Sequence, residues 1–420
     1  MSVTVLLLQL IVILGTARAC GWLLRHLGQP AVVGEMAAGL MLGPIVMGAL
    51  FPQWHAQLFA PNALAGLQAL ATVGLVLFMF VVGLELRSHQ GMRSLLKSAG
   101  AVGALSVAVP LALGVAVAPL LYPGLVPAGV GFWPFAGFMA AALSITAFPV
   151  MARILKDRGQ THTAFGQLAM GAAAVADVFA WILLAVVVAW AGSHQGLAGL
   201  VKTAGGVVAM LALLYWVVRP GFGWLLRRHA PDGDPSASVM ALLMLGLLGT
   251  ALFSEWVGLH SVFGAFLFGA ILPRDERLLD SLVQRIEPMS IAVLMPLFFA
   301  LAGLGTTADA FVSGSLVLGL LVVVVAAAGK IVGGAAGARL SGYGWRDSLA
   351  TGSLMNARGL MELIVMKIGL DAGLIGPQLF TMLLVMALVT TAMTSPLLSL
   401  IHGRSTAASP QADATGECRP

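Results

Sequence analysis

The sequence predicts an all-α polytopic membrane protein with about thirteen transmembrane helices. Three observations carry that expectation. The 420 residues are 59% hydrophobic and 9% charged, with a mean hydropathy of +0.98, whereas soluble domains run near a quarter charged. Apolar runs recur from the first residues to about Ile401, each near the ~20 residues a spanning helix needs. Basic residues fall on every second connection between these runs.

Taken in order, the first run, 3–23, contains Ala17-Arg18-Ala19, which has the look of a cleavage site. No basic region precedes it and the run is too long for a signal peptide, so a retained helix is expected. Run 30–48 carries Glu35, with Gly39 and Gly43 spaced for close helix contact. Run 63–84 ends at Glu85. Runs 98–120 and 132–153 follow, the latter holding Ser144-Ile-Thr146-Ala-Phe-Pro149-Val. Run 164–191 has Asp177 as the only ionisable residue between His162 and His194. Runs 197–225, 236–254, 258–273 and 287–304 come next, and His260 is read as a local cap or surface group. Run 311–338 places Lys330 at its middle, among Gly329, Gly333 and Gly337. Run 346–368 contains Ser353-Leu-Met-Asn356-Ala-Arg358-Gly359-Leu-Met-Glu362, and run 376–402 closes the series. Residues 403–420 are small, polar and proline-containing, and are expected to be a short disordered tail. Cys20 and Cys418 are expected to be unpaired.

The charge alternation sets an orientation. Arg25; Arg87, Arg93 and Lys97; Arg153, Lys156 and Arg158; Arg219, Arg227 and Arg228; Arg274, Arg277 and Arg285; Arg339 and Arg346; and Arg404 and Arg419 occupy alternate connections. The positive-inside rule then puts the N-terminus outside and the C-terminus in the cytoplasm. An odd number of spans satisfies both. This orientation accounts for the formal charge of +5 without a nucleic-acid partner.

An inverted internal repeat is also legible. Leu77-Phe-Met-Phe-Val-Val-Gly-Leu84 matches Leu297-Phe-Phe-Ala-Leu-Ala-Gly-Leu304. Gly34-Glu-Met-Ala-Ala-Gly39 with Pro44 matches Gly264-Ala-Phe-Leu-Phe-Gly269 with Pro273. The topology gives the matched runs opposite directions, so 30–191 and 258–402 are expected to form two five-helix units of opposite orientation. Such repeats mark secondary transporters, with a site near the midplane. The whole span 1–402 would be one transmembrane domain.

Within that frame the chemistry concentrates at few positions. Asp177 lies about 20 Å from either end of its helix, at ~1.5 Å per residue. A carboxylate at that depth is a functional-site hypothesis by default. Pro149 would break its helix and free backbone groups near Ser144 and Thr146. Asn356 and Gly359 mark the repeat-related place in run 346–368, so two discontinuous, crossing helices are expected. Arg358 and Glu362, four apart, are expected to pair and neutralise helix ends. Lys330 is too deep to snorkel and is expected to face Asp177 or the crossing. Glu35 and Glu85 can reach the interface and are read as structural. A dinucleotide-like Gly303-Leu-Gly305-Thr-Thr-Ala308 ends a membrane helix and is discounted, and no His-Glu-x-x-His run or cysteine cluster points to an enzyme or a metal cofactor.

This ordered series resembles the cation:proton antiporter-2 superfamily of bacterial sodium/proton and potassium/proton exchangers over about residues 1–402. Its carriers are Val33-Gly-Glu35, Gly43-Pro44, Phe80-Val-Val-Gly-Leu-Glu85, Ser144-Ile-Thr146-Ala-Phe-Pro149, Ala174-Val-Ala-Asp177 with Trp181, Leu297-Phe-Phe, Gly329-Lys330 and Asn356-Ala-Arg358-Gly359-Leu-Met-Glu362. The resemblance implies a thirteen-helix homodimer in the bacterial inner membrane. It also implies a core that moves elevator-fashion against a dimer domain, with Asp177 as cation and proton carrier and Lys330 as the neighbouring lysine. The position before Asp177, usually Asp, Asn or Gln in that family, is Ala176 here. Lys330 is then left to pair with Asp177, to find another acceptor, or to be neutral. The nucleotide-binding domain of the longer potassium-efflux relatives has no counterpart within these 420 residues.

The expected function is exchange of Na⁺ or K⁺ for H⁺ at Asp177, with Thr146 and Ser144 as further oxygen ligands and no cofactor. The partners are the ions and membrane lipid. With a single carboxylate carrier an electroneutral cycle is the simpler expectation, and two protons per cation follow if Lys330 also cycles. Ala176 motivates a transport-inactive or sensory protein as an alternative. Sodium-coupled organic-anion symport on the same core is another.

Overall fold

Prolines and glycines decide where the helices of this chain stop and how closely they approach. A computed structural model describes residues 3–403 except 86–95, 192–204, 207, 231, 258–259 and 274. Arg87, Arg93, Arg274, Arg404, Arg419, Cys418, part of run 197–225 and all but Gly403 of the expected tail lie outside the described residues. In order the main helices are α1 (Val3–His26), α2 (Ala31–Leu42), α3 (Ala65–Glu85), α4 (Leu96–Leu125), α5 (Phe132–Ser144), α6 (Phe148–Asp157) and α7 (Ala164–Ala191). There follow α8 (Val208–His229), α9 (Ala237–Val257), α10 (Ser261–Ile271) and α11 (Glu276–Leu304). The last are α12 (Ser313–Leu340), α13 (Trp345–Met355), α14 (Leu360–Asp371) and α15 (Pro377–His402). Among the described residues there is no strand, and nine helices are long and apolar enough to cross a membrane.

Two interruptions stand out. Between α5 and α6, Ile145 and Ala147 are extended, with φ/ψ of −73°/142° and −95°/91°. Pro149 does not lie within a continuous, kinked helix. It lies in the first turn of α6, where its missing N–H has no helical partner to lose. Between α13 and α14, residues 356–359 leave the helix, and α14 starts after Gly359. The two interruptions touch: the Ala147 amide donates to the Ala357 carbonyl at 3.1 Å.

Glycines set the closest helix contacts. Gly39 of α2 lies against the backbone of Phe299 and Gly303 in α11, and Gly83 of α3 lies against Phe266 and Gly269 in α10, with no room for a Cβ at any of these glycines. Under the sequence match Gly39 corresponds to Gly269, and Gly83 to Gly303, so the second contact is the counterpart of the first. On α12, Gly329, Gly333 and Gly337 pack successively on α4 at Pro110, Leu105 and Val102. Gly329 and its neighbours thus bring Lys330 against the middle of α4.

Prolines inside helices leave the carbonyl four residues earlier without its amide partner. Side chains distant along the chain supply the missing donors. Pro296 frees Ala292 O, which accepts from Arg18 Nη2 of α1 at 2.9 Å. Pro396 frees Ala392 O, which accepts from Gln29 Nε2 at 3.1 Å.

Candidate functional site

The carboxyl end of α5 is the most highly charged buried point described. A helix end presents unpaired carbonyls and a partial negative charge, and here it lies inside the bundle. Two fully buried cations meet it. Arg358 donates through Nη1 to Ala142 O at 3.1 Å and through Nη2 to Leu143 O at 2.8 Å. Lys330 donates to Ser144 O, to Thr146 Oγ1 at 2.6 Å and to Ser106 O at 3.1 Å. Ser106 O is the carbonyl freed by Pro110 of α4. An ammonium has three protons, and these three acceptors engage all of them.

Arg358 also pairs with the buried Glu362 at 2.5 Å. The four-residue spacing is realised across the start of α14 rather than along one helix, because Arg358 lies in the interruption. Thr391 of α15 holds that interruption: its Oγ1 donates to Arg358 O at 2.7 Å and accepts from Arg358 N at 2.8 Å. Asn356 Nδ2 donates to Thr390 O at 3.1 Å. Ser144 Oγ turns back to Ala140 O at 2.5 Å. Gly359 lies against Ala147 of the other interruption and Val150 of α6, leaving no room for a larger side chain.

Asp177 is also fully buried, yet neither carboxylate oxygen has a hydrogen-bond partner. Its helix α7 packs against α4, α5, α6 and α13, the elements that carry both interruptions. Gly103 of α4 meets Ala172 and Val175 of α7, one helical turn from Ser106. Asp177 and Lys330 interact electrostatically but form no ion pair among those described. Of the options left by Ala176, which is itself buried, Lys330 takes another set of acceptors. Ser144, Thr146, Asn356, Arg358, Gly359, Glu362 and Lys330 are thus assembled around the crossing, with Asp177 on the neighbouring helix. Among the described residues no group of His, Cys, Asp or Glu is arranged to hold a resident metal ion.

Glu35 is buried, lining a cavity of about 60 Å³ with Arg153, Phe78, Met295, Met361 and Ala147 of the first interruption. Its helix α2 packs against α1 and α11, and the cavity is walled by residues of α6 and α11. His260 caps α10, its Nδ1 accepting from Val262 N at 3.4 Å. Thr391, Ser106, Gln29 and Arg18 were missed as participants. A proline four residues after Ser106 and the polar Thr390-Thr391 within run 376–402 were the available signals.

Comparison with known proteins agrees with this architecture. A family model described as "Sodium/hydrogen exchanger, transmembrane" matches residues 12–400. The chain is 37% identical over 403 residues to the Na(+)/H(+) antiporter NhaS4 of Synechocystis sp., covering 96% of this chain and 98% of that protein. It is 36% identical to Cation/H(+) antiporter 17 of Arabidopsis thaliana and 31% identical to K(+)/H(+) antiporter 1 of Saccharomyces cerevisiae. It spans 49% and 44% of their lengths, respectively. The fold is similar to that of the sodium proton antiporter MjNhaP1 from Methanocaldococcus jannaschii, with a TM-score of 0.60 at 13% identity over 95% of this chain and 98% of that one. The chain therefore belongs to the sodium/hydrogen exchanger family of multi-pass membrane transporters.

Proposed function

We propose that this chain exchanges a monovalent cation, Na⁺ or K⁺, for H⁺, with Asp177 as the shared binding group. The observation that carries the reading is a fully buried carboxylate with both oxygens unpartnered, on the helix packed against two interrupted helices. A cation needs oxygen ligands there, and a proton neutralises the same carboxylate. Binding of either one displaces the other. Ser144, Thr146 and carbonyls of the interruptions are the further oxygens. The cavity at Glu35 and Arg153 abuts Ala147 and offers an approach from one face.

Alternating access is read as elevator-type movement of the crossing core against the remaining helices, in a homodimer of thirteen-span subunits. The reciprocal glycine contacts, Gly39 with Gly303 and Gly83 with Gly269, support inverted repeats over 30–191 and 258–402 within one domain, 1–402. The proposed setting is the bacterial inner membrane, N-terminus outside. Arg25 shares one cavity with Arg158, and Glu35 another with Arg153, in keeping with both charged connections lying on the cytoplasmic side. Because all three Lys330 protons are engaged, an electroneutral one-for-one cycle is favoured.

Everted vesicles carrying the protein should show proton-gradient dequenching on addition of Na⁺, K⁺ or Li⁺. Absence of dequenching with all three ions across the pH range would support the transport-inactive reading. Uptake of a labelled organic acid without proton exchange would support symport. On solid-supported membranes, robust Na⁺-driven charge movement would sink the electroneutral proposal.

A further inference from the structure

A second cavity, of about 480 Å³, lies away from the crossing and is lined by Arg25, Gly28, Gln29, Pro30, Ile154, Arg158 and Ser395. Its size falls within the ~300–1,000 Å³ of small-ligand sites. Two arginines and no carboxylate line it, so it repels a cation and does not serve as its path. Arg158 is anchored: Nε donates to Gln160 Oε1 at 3.2 Å, and Nη1 to Ser395 O at 3.3 Å and Ser399 Oγ at 3.1 Å. Its Nη2 is buried without a partner. Burial also works against the Arg158 charge, pulling its pKa down, and none of the ion pairs described includes it. Gln29 supplies the complementary group. Its Nε2 is committed to the proline-freed Ala392 O, which fixes the amide orientation and leaves Oε1 as a buried acceptor without a partner.

A wall with two guanidinium groups and one spare acceptor suits an oxyanion that still carries a proton. Guanidinium pairs with phosphate by charge-assisted, often bidentate bonds, and a hydrogenphosphate or phosphate-monoester O–H can donate to Gln29 Oε1. Sulfate has no such proton near neutral pH. The walls come from two units: Arg25 from the last turn of α1 with Gly28, Gln29 and Pro30 from the α1–α2 connection, and Ile154, Arg158 and Ser395 from α6, the residue following it, and α15.

We propose that this cavity binds a phosphate-bearing anion between Arg25 and Arg158, and that the bound anion holds the α1–α2 connection against the core and slows exchange. The slowing rests on the moving-core reading given above; the binding does not. The phosphate can be free in solution or the headgroup of a lipid.

The test uses the full chain in phosphatidylcholine nanodiscs, titrated with inorganic phosphate or sulfate by calorimetry and thermal unfolding. A parallel preparation contains phosphatidic acid in the bilayer. Saturable binding with a raised melting temperature is expected for phosphate or for phosphatidic acid, identifying the soluble or the lipid source, respectively. Arg25→Gln, at an exposed residue, and Arg158→Gln should each weaken binding about tenfold, equivalent to one decade in Kd. Proteoliposomes then report whether the same anion lowers the exchange rate. Loss of slowing with intact binding would overturn the regulatory half alone. No saturable effect from either source, equal or stronger binding of sulfate, or unchanged binding in both variants would overturn the site itself.

Discussion

Lys330 and Arg358 are buried as completely as Asp177, but the bundle treats them differently. The cations use their donors on carbonyls that helix breaks and prolines have stripped of partners: Ser106, Ala142, Leu143 and Ser144. Asp177 has no such engagement. All three Lys330 donors are engaged, and Arg358 leaves only Nε without a partner. A buried charge held by several bonds keeps a structure together, whereas one with none is set to receive a ligand. The difference separates groups that keep the interruptions in place from the group proposed to exchange its occupant.

Substitutions sharpen or break that contrast. The largest effect is expected for Asp177→Asn: exchange in vesicles should vanish while the melting temperature in detergent stays equal or rises, because an uncompensated buried charge is removed. Retained cation-dependent exchange would remove Asp177 from the centre of the proposal. Glu362→Gln should do the opposite to stability. It leaves Arg358 buried without its counter-charge, at a cost of about 3–5 kcal/mol, read as a marked fall in melting temperature. An unchanged melting curve would mean that the pair is not structural.

Lys330→Gln keeps part of the donor set but loses the charge and at least one bond, so a loss of about 1–3 kcal/mol is expected, with reduced but measurable exchange. Complete loss of exchange at unchanged stability would instead make Lys330 part of the transport chemistry. Thr391→Val is nearly isosteric and removes both contacts to the Arg358 backbone. It should lower stability by about 1–2 kcal/mol, and the same change at Thr394, which bonds only its own helix, should do less.

The smallest effect is expected at His260. Burial lowers its pKa below the ordinary 6.5, against the opposing influence of Glu255 and Asp371. The folded state therefore favours the neutral ring, whose Nδ1 caps α10. Its contribution, about 1 kcal/mol for a cap, is present above pH 6.5 and is lost as pH falls. His260→Gln should remove that part of the stability–pH slope, and a slope unaltered by the substitution would argue against the cap.

Much of this was legible locally. A run of apolar residues at spanning length needs no tertiary partner to be read as a helix in lipid, since its backbone bonds close within the segment. Polar residues at 144–149 and 353–362 marked the interruptions for the same reason, and Asp177 and Lys330 were visible as isolated charges. Pro149 was readable as a break of its helix, but not as part of the first turn of the next one. Whether a proline kinks one helix or opens the next depends on how the preceding residues are held, here by the contact of Ala147 with Ala357. The burial of Glu35 beside a cavity was not legible, because the walls of that cavity come from α6 and α11, far away in the chain.

Sequence alone determined the membrane-spanning helical class, the interruptions and the isolated carboxylate, all of which follow from composition and short-range pattern. Only the tertiary structure decided which donor meets which freed carbonyl. Arg18 with Ala292, Lys330 with Ser106 and Gln29 with Ala392 lie 274, 224 and 363 residues apart. Each proline shows locally that an acceptor has been left open, but the donor that reaches it is set by helix packing, which no local window contains.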